Sequence, residues 1–307
     1  FIGGLVRVSG AGLGCPDWPK CFGRWIPPLS VHDIPPEIDP SRFNITLAWI
    51  EYGHRLTGMA VGLLVLATAL FALKNHRSEP RILYPSLVAA LLTAYQGWQG
   101  GQVVASELKP IIVSVHLFVS FVIVSILIFV AQQSLFRERG TARAVVRDTQ
   151  KAPTWVAFLW AGGLLQIALG TLVRGRLQVL DSQFPTLTET ERLARVGLPH
   201  DLHMISGTAL AIATLVVGLM LLRLSAGRAG LVRLAVIGLM MCALTQIGLG
   251  FFFLVFGLSA VLQLYHLWLS GLYIGLSLAA FFALRNPVDA TMQQTRGVRR
   301  TMVIVAV

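Results

Sequence analysis

Four histidines lie in strongly apolar sequence, where an ionisable side chain is costly and usually has a function. Neutral imidazole is a ligand for zinc, copper, nickel and iron. A small residue follows each histidine four positions later, on the same helix face. A flat macrocycle held between helices needs such clearance, so the pattern favours haem over a bare metal ion; close helix packing is the alternative use of the small residues. The histidines and their small neighbours are His54 with Gly58, His116 with Ser120, His203 with Gly207, and His266 with Ser270.

One acid distinguishes the first of these histidines from its counterpart. Glu51 precedes His54 by three residues, which places both on one helix face, whereas His200 holds the same position before His203. An acid at one site only favours chemistry at that site and an electron-transfer cofactor at the other. The alternative is an acid near a helix start that pairs with Arg55 at the i+4 position.

Three arginines are expected near the same depth in the membrane as the histidines. They are Arg7, Arg55 and Arg174. Guanidinium groups suit carboxylate geometry, so these side chains could pair with haem propionates. Ordinary anchoring at the membrane interface explains any one of them equally well.

Apolar segments long enough to cross a bilayer, about 20 residues each, make up most of the chain, which is 55% hydrophobic and 13% charged. The opening segment FIGGLVRVSG reads as the last turns of one further helix. We therefore expect an all-α polytopic membrane protein with eight transmembrane helices, the first of them truncated. The seven full segments are 43–73, 82–105, 111–133, 155–175, 200–222, 233–255 and 261–284.

The charges between these segments predict their orientation. The loops on one side carry the whole net charge of +11, and a basic excess marks the cytoplasmic face. The charge therefore does not require a nucleic acid partner. The four histidines fall near the outer face, and we expect a bacterial plasma membrane, with the mitochondrial inner membrane as the alternative.

The outer face is expected to carry two long loops, 8–42 and 176–199. Cys15 and Cys21 flank PDWPK in the first, an oxidising location in which a disulfide is expected. A metal site there would need a second pair of ligands, which the loop lacks. Asp39 and Pro40 are typical of an N-cap and a first helical residue, so a helix could begin there and run into the membrane.

The chain repeats itself at an offset of about 150 residues. HLFVS at 116–120 matches HLWLS at 266–270, Gln96 matches Gln246, and GGLVR ending at Arg7 echoes GTLVR ending at Arg174. The repeat predicts two tandem four-helix bundles, each holding one pair of histidines as ligands of one haem. The predicted parts are an N-terminal unit 1–133, a cytoplasmic linker 134–154, a C-terminal unit 155–284 and a cytoplasmic tail 285–307.

The sequence resembles the haem A synthase family, membrane enzymes that convert haem O to haem A for cytochrome oxidases. The resemblance rests on GGLVRVSGAGLGCPDWPKC at 3–21, EYGHR at 51–55, HLFVS and HLWLS, in that order. It implies that haem O, the substrate, is bound by His54 and His116, with Glu51 as an essential acid. It implies a b-type haem between His203 and His266, and oxidation of a haem methyl group to a formyl group by successive hydroxylations.

Other functions remain compatible with the residues alone. A di-haem membrane electron-transfer cytochrome and a non-catalytic haem carrier both need paired histidines, but neither needs an acid at one site only. The resemblance implies the membrane enzyme that produces haem O as a partner, besides the lipid bilayer. The sequence names no electron donor and leaves open whether the chain forms a homo-oligomer.

Overall fold

The computed structural model describes residues 2–138, 151–224 and 230–285, and these ranges contain nine α-helices and no β-strand. Seven of the helices have 26 residues or more. The helices are α1 Ile2–Val8, α2 Ile45–Asn75, α3 Pro80–Ala105, α4 Pro110–Glu138, α5 Ala152–Gln183, α6 Glu189–Val196, α7 Leu198–Leu224, α8 Gly230–Phe256 and α9 Ala260–Arg285. The expected all-α class is confirmed.

Local sequence sets the ends of these helices. Pro80 and Pro110 start α3 and α4, where a missing N–H costs nothing. The side chain of Asn44 caps α2 by accepting a hydrogen bond of 3.1 Å from the Leu47 N–H. At the end of α8, Gly257 has a φ of 88°, a conformation that favours glycine.

The short helix α6 is held at its start by a reciprocal capping box. The Thr188 hydroxyl accepts a hydrogen bond from the Glu191 N–H, and the Glu191 carboxylate accepts from the Thr188 N–H at 2.8 Å. These hydrogen bonds lower the pKa of the Glu191 carboxyl below its usual value.

Six of the described helices are long and apolar enough to cross a membrane: α2, α4, α5, α7, α8 and α9. This confirms a polytopic membrane protein, although the expected number was eight. Helix α3 has sufficient length at 26 residues, but glutamines at 96, 99 and 102 make its second half more polar. Helix α1 has seven described residues, too few to cross a bilayer.

The two segments predicted to be outer loops differ from the expectation in two places. The predicted loop 176–199 is mostly helical, because α5 continues to Gln183 and α6 fills much of the remainder. Asp39 does cap Pro40, but only for a single 3-10 turn. Phe43 then takes an extended conformation, with φ −81° and ψ 123°, so the transmembrane helix begins separately at Ile45.

The long helices pack in a connected bundle that brings the first and last described helices together. Helix α1 lies against α2 and α9, and α4 contacts both α5 and α9. A buried apolar cluster that includes Val156, Leu221, Val236 and Ala280 joins α5, α7, α8 and α9 at the ends remote from the histidines. The division into two units stays a prediction, and residues 139–150 of the predicted linker and 286–307 of the predicted tail lie outside the described ranges.

The segment between α1 and α2 is fastened to the start of α2. Cys15 and Cys21 form a disulfide with a Cα–Cα distance of 4.6 Å, as expected. Both cysteines are buried beside Phe22 and Ala48. Gly14 approaches the backbone of α2 so closely that a Cβ atom there would lie 2.2 Å from the carbonyl oxygen of Leu47.

Replacing Gly14 with alanine is therefore expected to displace this segment from α2 and lower the melting temperature of the protein in detergent. The clash is with backbone, which cannot rotate away, and such overpacking costs about 1–3 kcal/mol. Gly12→Ala is the matched control, since its Cβ would meet only the flexible side chain of Leu108, at 3.1 Å. Equal melting temperatures for the two variants would show that the close approach of Gly14 is not needed.

Candidate functional site

A mostly apolar cavity of about 310 Å³ lies among α5, α7, α8 and α9. His203 of α7 and His266 of α9 line it together. Thr214 and Tyr273 also line it, and their hydroxyl oxygens are 2.7 Å apart. Its volume lies within the range of ligand pockets, about 300–1,000 Å³.

The two imidazole rings in this cavity have the separation of a pair that shares one metal atom. Their centres are 6.4 Å apart, and the rings are inclined at 65°. Metal–imidazole bonds of about 2.0–2.1 Å, with ring centres roughly 1.2 Å beyond the ligating nitrogen, place two such centres roughly 6.4 Å apart. The Nδ1 atoms of His203 and His266 are buried without a hydrogen-bond partner among the described residues. The pair therefore fits a bis-histidine haem, whose macrocycle supplies the other iron ligands.

Glycines on neighbouring helices make room for the histidine rings. A Cβ atom on Gly170 of α5 would lie 3.1 Å from the ring of His203, and one on Gly3 of α1 would lie 3.3 Å from the ring of His54. A Cβ atom on Gly250, which lines the cavity, would meet no atom within 4 Å. Larger residues at these positions would press on a ring or fill the space beside it.

Glutamine side chains fix three of the histidines to the adjacent helix. Gln246 Nε2 donates to the carbonyl oxygen of His266 at 2.9 Å and to the Ser270 hydroxyl at 2.8 Å. Gln96 makes the same two contacts with His116 and Ser120, at 2.8 and 2.6 Å. In the third case Gln166 Nε2 donates to the His203 carbonyl oxygen and to Ser206. These contacts tie the backbone at each histidine to a neighbouring helix and so fix the register between the two helices.

The N-terminal histidine pair has a carboxylate beside it. His54 of α2 and His116 of α4 are close enough to interact electrostatically, and Glu51 also acts on His116. Glu51 is only 5% exposed, and its Oε2 lies 3.8 Å from Nδ1 of His54. The structure thus brings together the three residues predicted for this site, and the carboxylate faces the ring of a candidate ligand.

Arg55 connects Glu51 to the disulfide loop, residues 15–21. Its Nε donates to Glu51 Oε1 at 3.0 Å. Its Nη1 donates to the carbonyl oxygens of Asp17 and Lys20, both at 2.8 Å, and its Nη2 donates to that of Cys15 at 3.2 Å. Four of its five N–H groups are therefore used within the protein, and its pairing with a haem propionate stays a prediction.

The other two predicted arginines keep free donors. Arg7 is half-buried, and its Nη2 atom is buried without a hydrogen-bond partner in the described part of the chain. Arg174 is an exposed residue, and it is close enough to Arg7 to repel it electrostatically. Two neighbouring cations, one with an unpaired donor, suit an anionic ligand such as a carboxylate.

Comparison with protein families matches residues 1–278 to the family described as cytochrome oxidase assembly protein. The match covers nearly the whole chain, including the four histidines, Glu51 and the disulfide. The chain belongs to this family. No solved structure matches the chain significantly.

Curated relatives in the cytochrome oxidase assembly protein family carry the name haem A synthase. The protein from Shewanella oneidensis is 33% identical over 157 residues, 48% of this chain and 44% of the relative. That from Geobacillus kaustophilus is 28% identical over 152 residues, 50% of this chain and 43% of the relative. That from Sinorhizobium fredii is 28% identical over 191 residues, 57% and 52% of the two chains. The chain therefore spans about half the length of the curated relatives it matches.

Several residues that support the histidines in this family member were not predicted from the sequence. The repeat singled out Gln96 and Gln246, but the role of Gln166 was not expected. Gly3 and Gly170 open the echoed segments GGLVR and GTLVR, and only the arginines of those segments had been singled out. The repeat itself was the signal that could have identified both glycines as equivalent supports.

Replacing Gln246 with leucine is expected to weaken haem binding at the C-terminal site of this family member. The change removes both donors that hold His266 and Ser270, and comparable losses around metal ligands reduce affinity about 10–100-fold. Haem titration of the apoprotein, followed in the visible spectrum, measures the effect. Gln102→Leu, on the exposed face of α3, is the control. Equal affinity in the two variants would contradict the positioning role of Gln246.

Proposed function

We propose that this chain is a haem A synthase, which oxidises a methyl group of haem O to a formyl group. The observation that carries the proposal is the buried carboxylate of Glu51, 3.8 Å from His54 Nδ1. The corresponding position of the other site holds His200. Two similar histidine sites that differ in one acid suit one reacting haem and one haem that only transfers electrons. Membership of the cytochrome oxidase assembly protein family and the names of the relatives support the proposal.

In this proposal His54 and His116 hold the substrate haem O, and the product is haem A. Each hydroxylation of the methyl carbon, and the final loss of water from the hydrated formyl group, moves protons. Glu51 is the acid placed to accept and return them, because it is buried beside a ligand of the substrate. Arg55 holds one carboxylate oxygen of Glu51, so the other faces His54.

His203 and His266 are the proposed ligands of a resident haem b. When bound, this group supplies one-electron transfer. The apolar cavity around the ligands excludes water. Gln166 and Gln246 hold the backbone at His203 and His266 against the neighbouring helices. Arg7 and Arg174 are the proposed partners of haem propionates.

The predicted organisation belongs to the same proposal. Units 1–133 and 155–284 would each hold one haem, which the repeated glutamine contacts at His116 and His266 support. The disulfide at the histidine end of α2 supports an outer, oxidising location in a bacterial plasma membrane. The haem O-producing membrane enzyme would supply the substrate, and a reductant of unassigned identity would supply electrons.

The test is to express the chain in a membrane that contains haem O and to identify the extracted haems by mass. Haem A beside haem B is the expected result. Haem B alone, with both sites filled, would instead indicate a di-haem electron-transfer cytochrome. Unchanged haem O beside haem B would indicate a carrier.

A further inference from the structure

The carbonyl groups of the disulfide loop converge on one cation. Those of Cys15, Asp17 and Lys20 all accept hydrogen bonds from Arg55, at 2.8 to 3.2 Å. Three convergent carbonyl oxygens form a site for a cation with fixed donor directions. The planar guanidinium meets all three at once, which the single ammonium of lysine would not do with the same geometry.

Two further features hold the loop in the conformation that presents these carbonyls. The disulfide between Cys15 and Cys21 closes the loop. The carboxylate of Asp17 accepts hydrogen bonds from the N–H groups of Phe22 and Gly23, at 2.6 and 2.8 Å. These contacts order the loop together with Arg55, which holds its three carbonyl groups.

Glu51 lies at the other end of this arrangement. Arg55 Nε holds its Oε1 at 3.0 Å, while Oε2 faces Nδ1 of His54. Glu51 is 5% exposed, so water cannot replace the guanidinium as the partner of its carboxylate without a rearrangement. The orientation of the carboxylate toward His54 thus depends on Arg55, and the position of Arg55 depends on the loop.

We propose that Arg55 is a positioning residue that couples the Cys15–Cys21 loop to Glu51. With the disulfide intact, the loop carbonyls hold the guanidinium, and the guanidinium holds Glu51 against His54. A dithiol reductant that reduces the disulfide to two thiols, and is itself oxidised to a disulfide, frees the loop and loosens Glu51. The part that concerns activity rests on the proposed function of Glu51; the coupling of Arg55 to the loop does not.

The first experiment measures the coupling without any catalytic assay. The purified full-length chain is treated with dithiothreitol, and released thiols are alkylated and counted by mass. Arg55→Gln is expected to accelerate reduction of the disulfide about ten-fold, because three loop carbonyls lose their donor. Arg24→Gln is the matched control, an exposed arginine that donates to a single carbonyl, that of Asp33, in the same outer segment. Equal rates for Arg55→Gln and Arg24→Gln would overturn the proposal.

The second experiment measures haem A formation in a mutant cycle. Arg55→Gln and the double variant Cys15→Ser, Cys21→Ser are each expected to reduce kcat about ten-fold or more, with the C-terminal haem spectrum retained. A variant that combines all three substitutions should have a kcat only slightly lower than that of either variant alone, because both changes break the same link between the loop and Glu51. Guanidinium ion should partly restore Arg55→Ala, and Arg55→Lys should remain impaired. Losses that multiply in the combined variant would overturn the coupling, whereas a wild type that forms no haem A would refute the proposed function and leave the thiol result standing.

Discussion

Glu51→Gln is expected to stop haem A formation while the C-terminal haem remains bound. The substitution keeps the size of the side chain and its contact with Arg55 but removes the proton-accepting carboxylate beside His54. Acid–base groups contribute about 10²–10⁴-fold to rate, so the yield of haem A should fall at least about 100-fold. The measurement is the mass of haems extracted from membranes that contain haem O.

The control for this variant is Glu37→Gln. Glu37 is an exposed acid in the segment between α1 and α2 that also carries the disulfide, so its loss changes the charge of that segment without touching the site. The C-terminal haem spectrum, unchanged in both variants, would show that the protein is folded. An undiminished haem A yield in Glu51→Gln would remove the catalytic role of this residue and leave the reaction to other groups.

His203→Ala and His266→Ala are each expected to abolish the low-spin b-type haem spectrum. The two rings lie 6.4 Å apart in one cavity, so either substitution leaves the iron with one protein ligand. The cavity is mostly apolar and provides no second imidazole in place of the lost one. Reduced-minus-oxidised spectra of the purified variants measure the loss.

His32→Ala is the control for these two variants, because His32 is exposed in the segment between α1 and α2. Its spectrum should match that of the unsubstituted protein. Retention of the low-spin spectrum in both His203→Ala and His266→Ala would contradict the assignment of the C-terminal site. Loss in only one of them would indicate that another residue replaces the missing ligand.

The long helices were predicted well from hydrophobicity alone. The predicted segment 82–105 corresponds to α3 at Pro80–Ala105, and 261–284 corresponds to α9 at Ala260–Arg285. Bilayer thickness fixes the length of an apolar helix, and proline and charge mark its ends, so this information is local. The predicted loop 176–199 was wrong in its first part, because α5 continues to Gln183. Polar residues also form helix outside the membrane, and hydrophobicity does not reveal it.

The contacts of Arg55 could not be read in the same way. Its spacing from Glu51 was visible, and one of its four hydrogen bonds follows from that spacing. The other three reach residues 35 to 40 positions away in the chain. The sequence therefore predicted a pairing with Glu51 or a propionate, but not that the folded loop uses three of its donors.

The sequence by itself determined the membrane-spanning class, the internal repeat, the four histidines and the single acid that separates the two sites. These features depend on composition, period and spacing, which are properties of the chain read in one dimension. Only the tertiary structure decided which helix supports each imidazole, how the disulfide loop reaches Glu51, and that α1 packs against α9. Those contacts join residues far apart in sequence, and burial rather than local preference selects them.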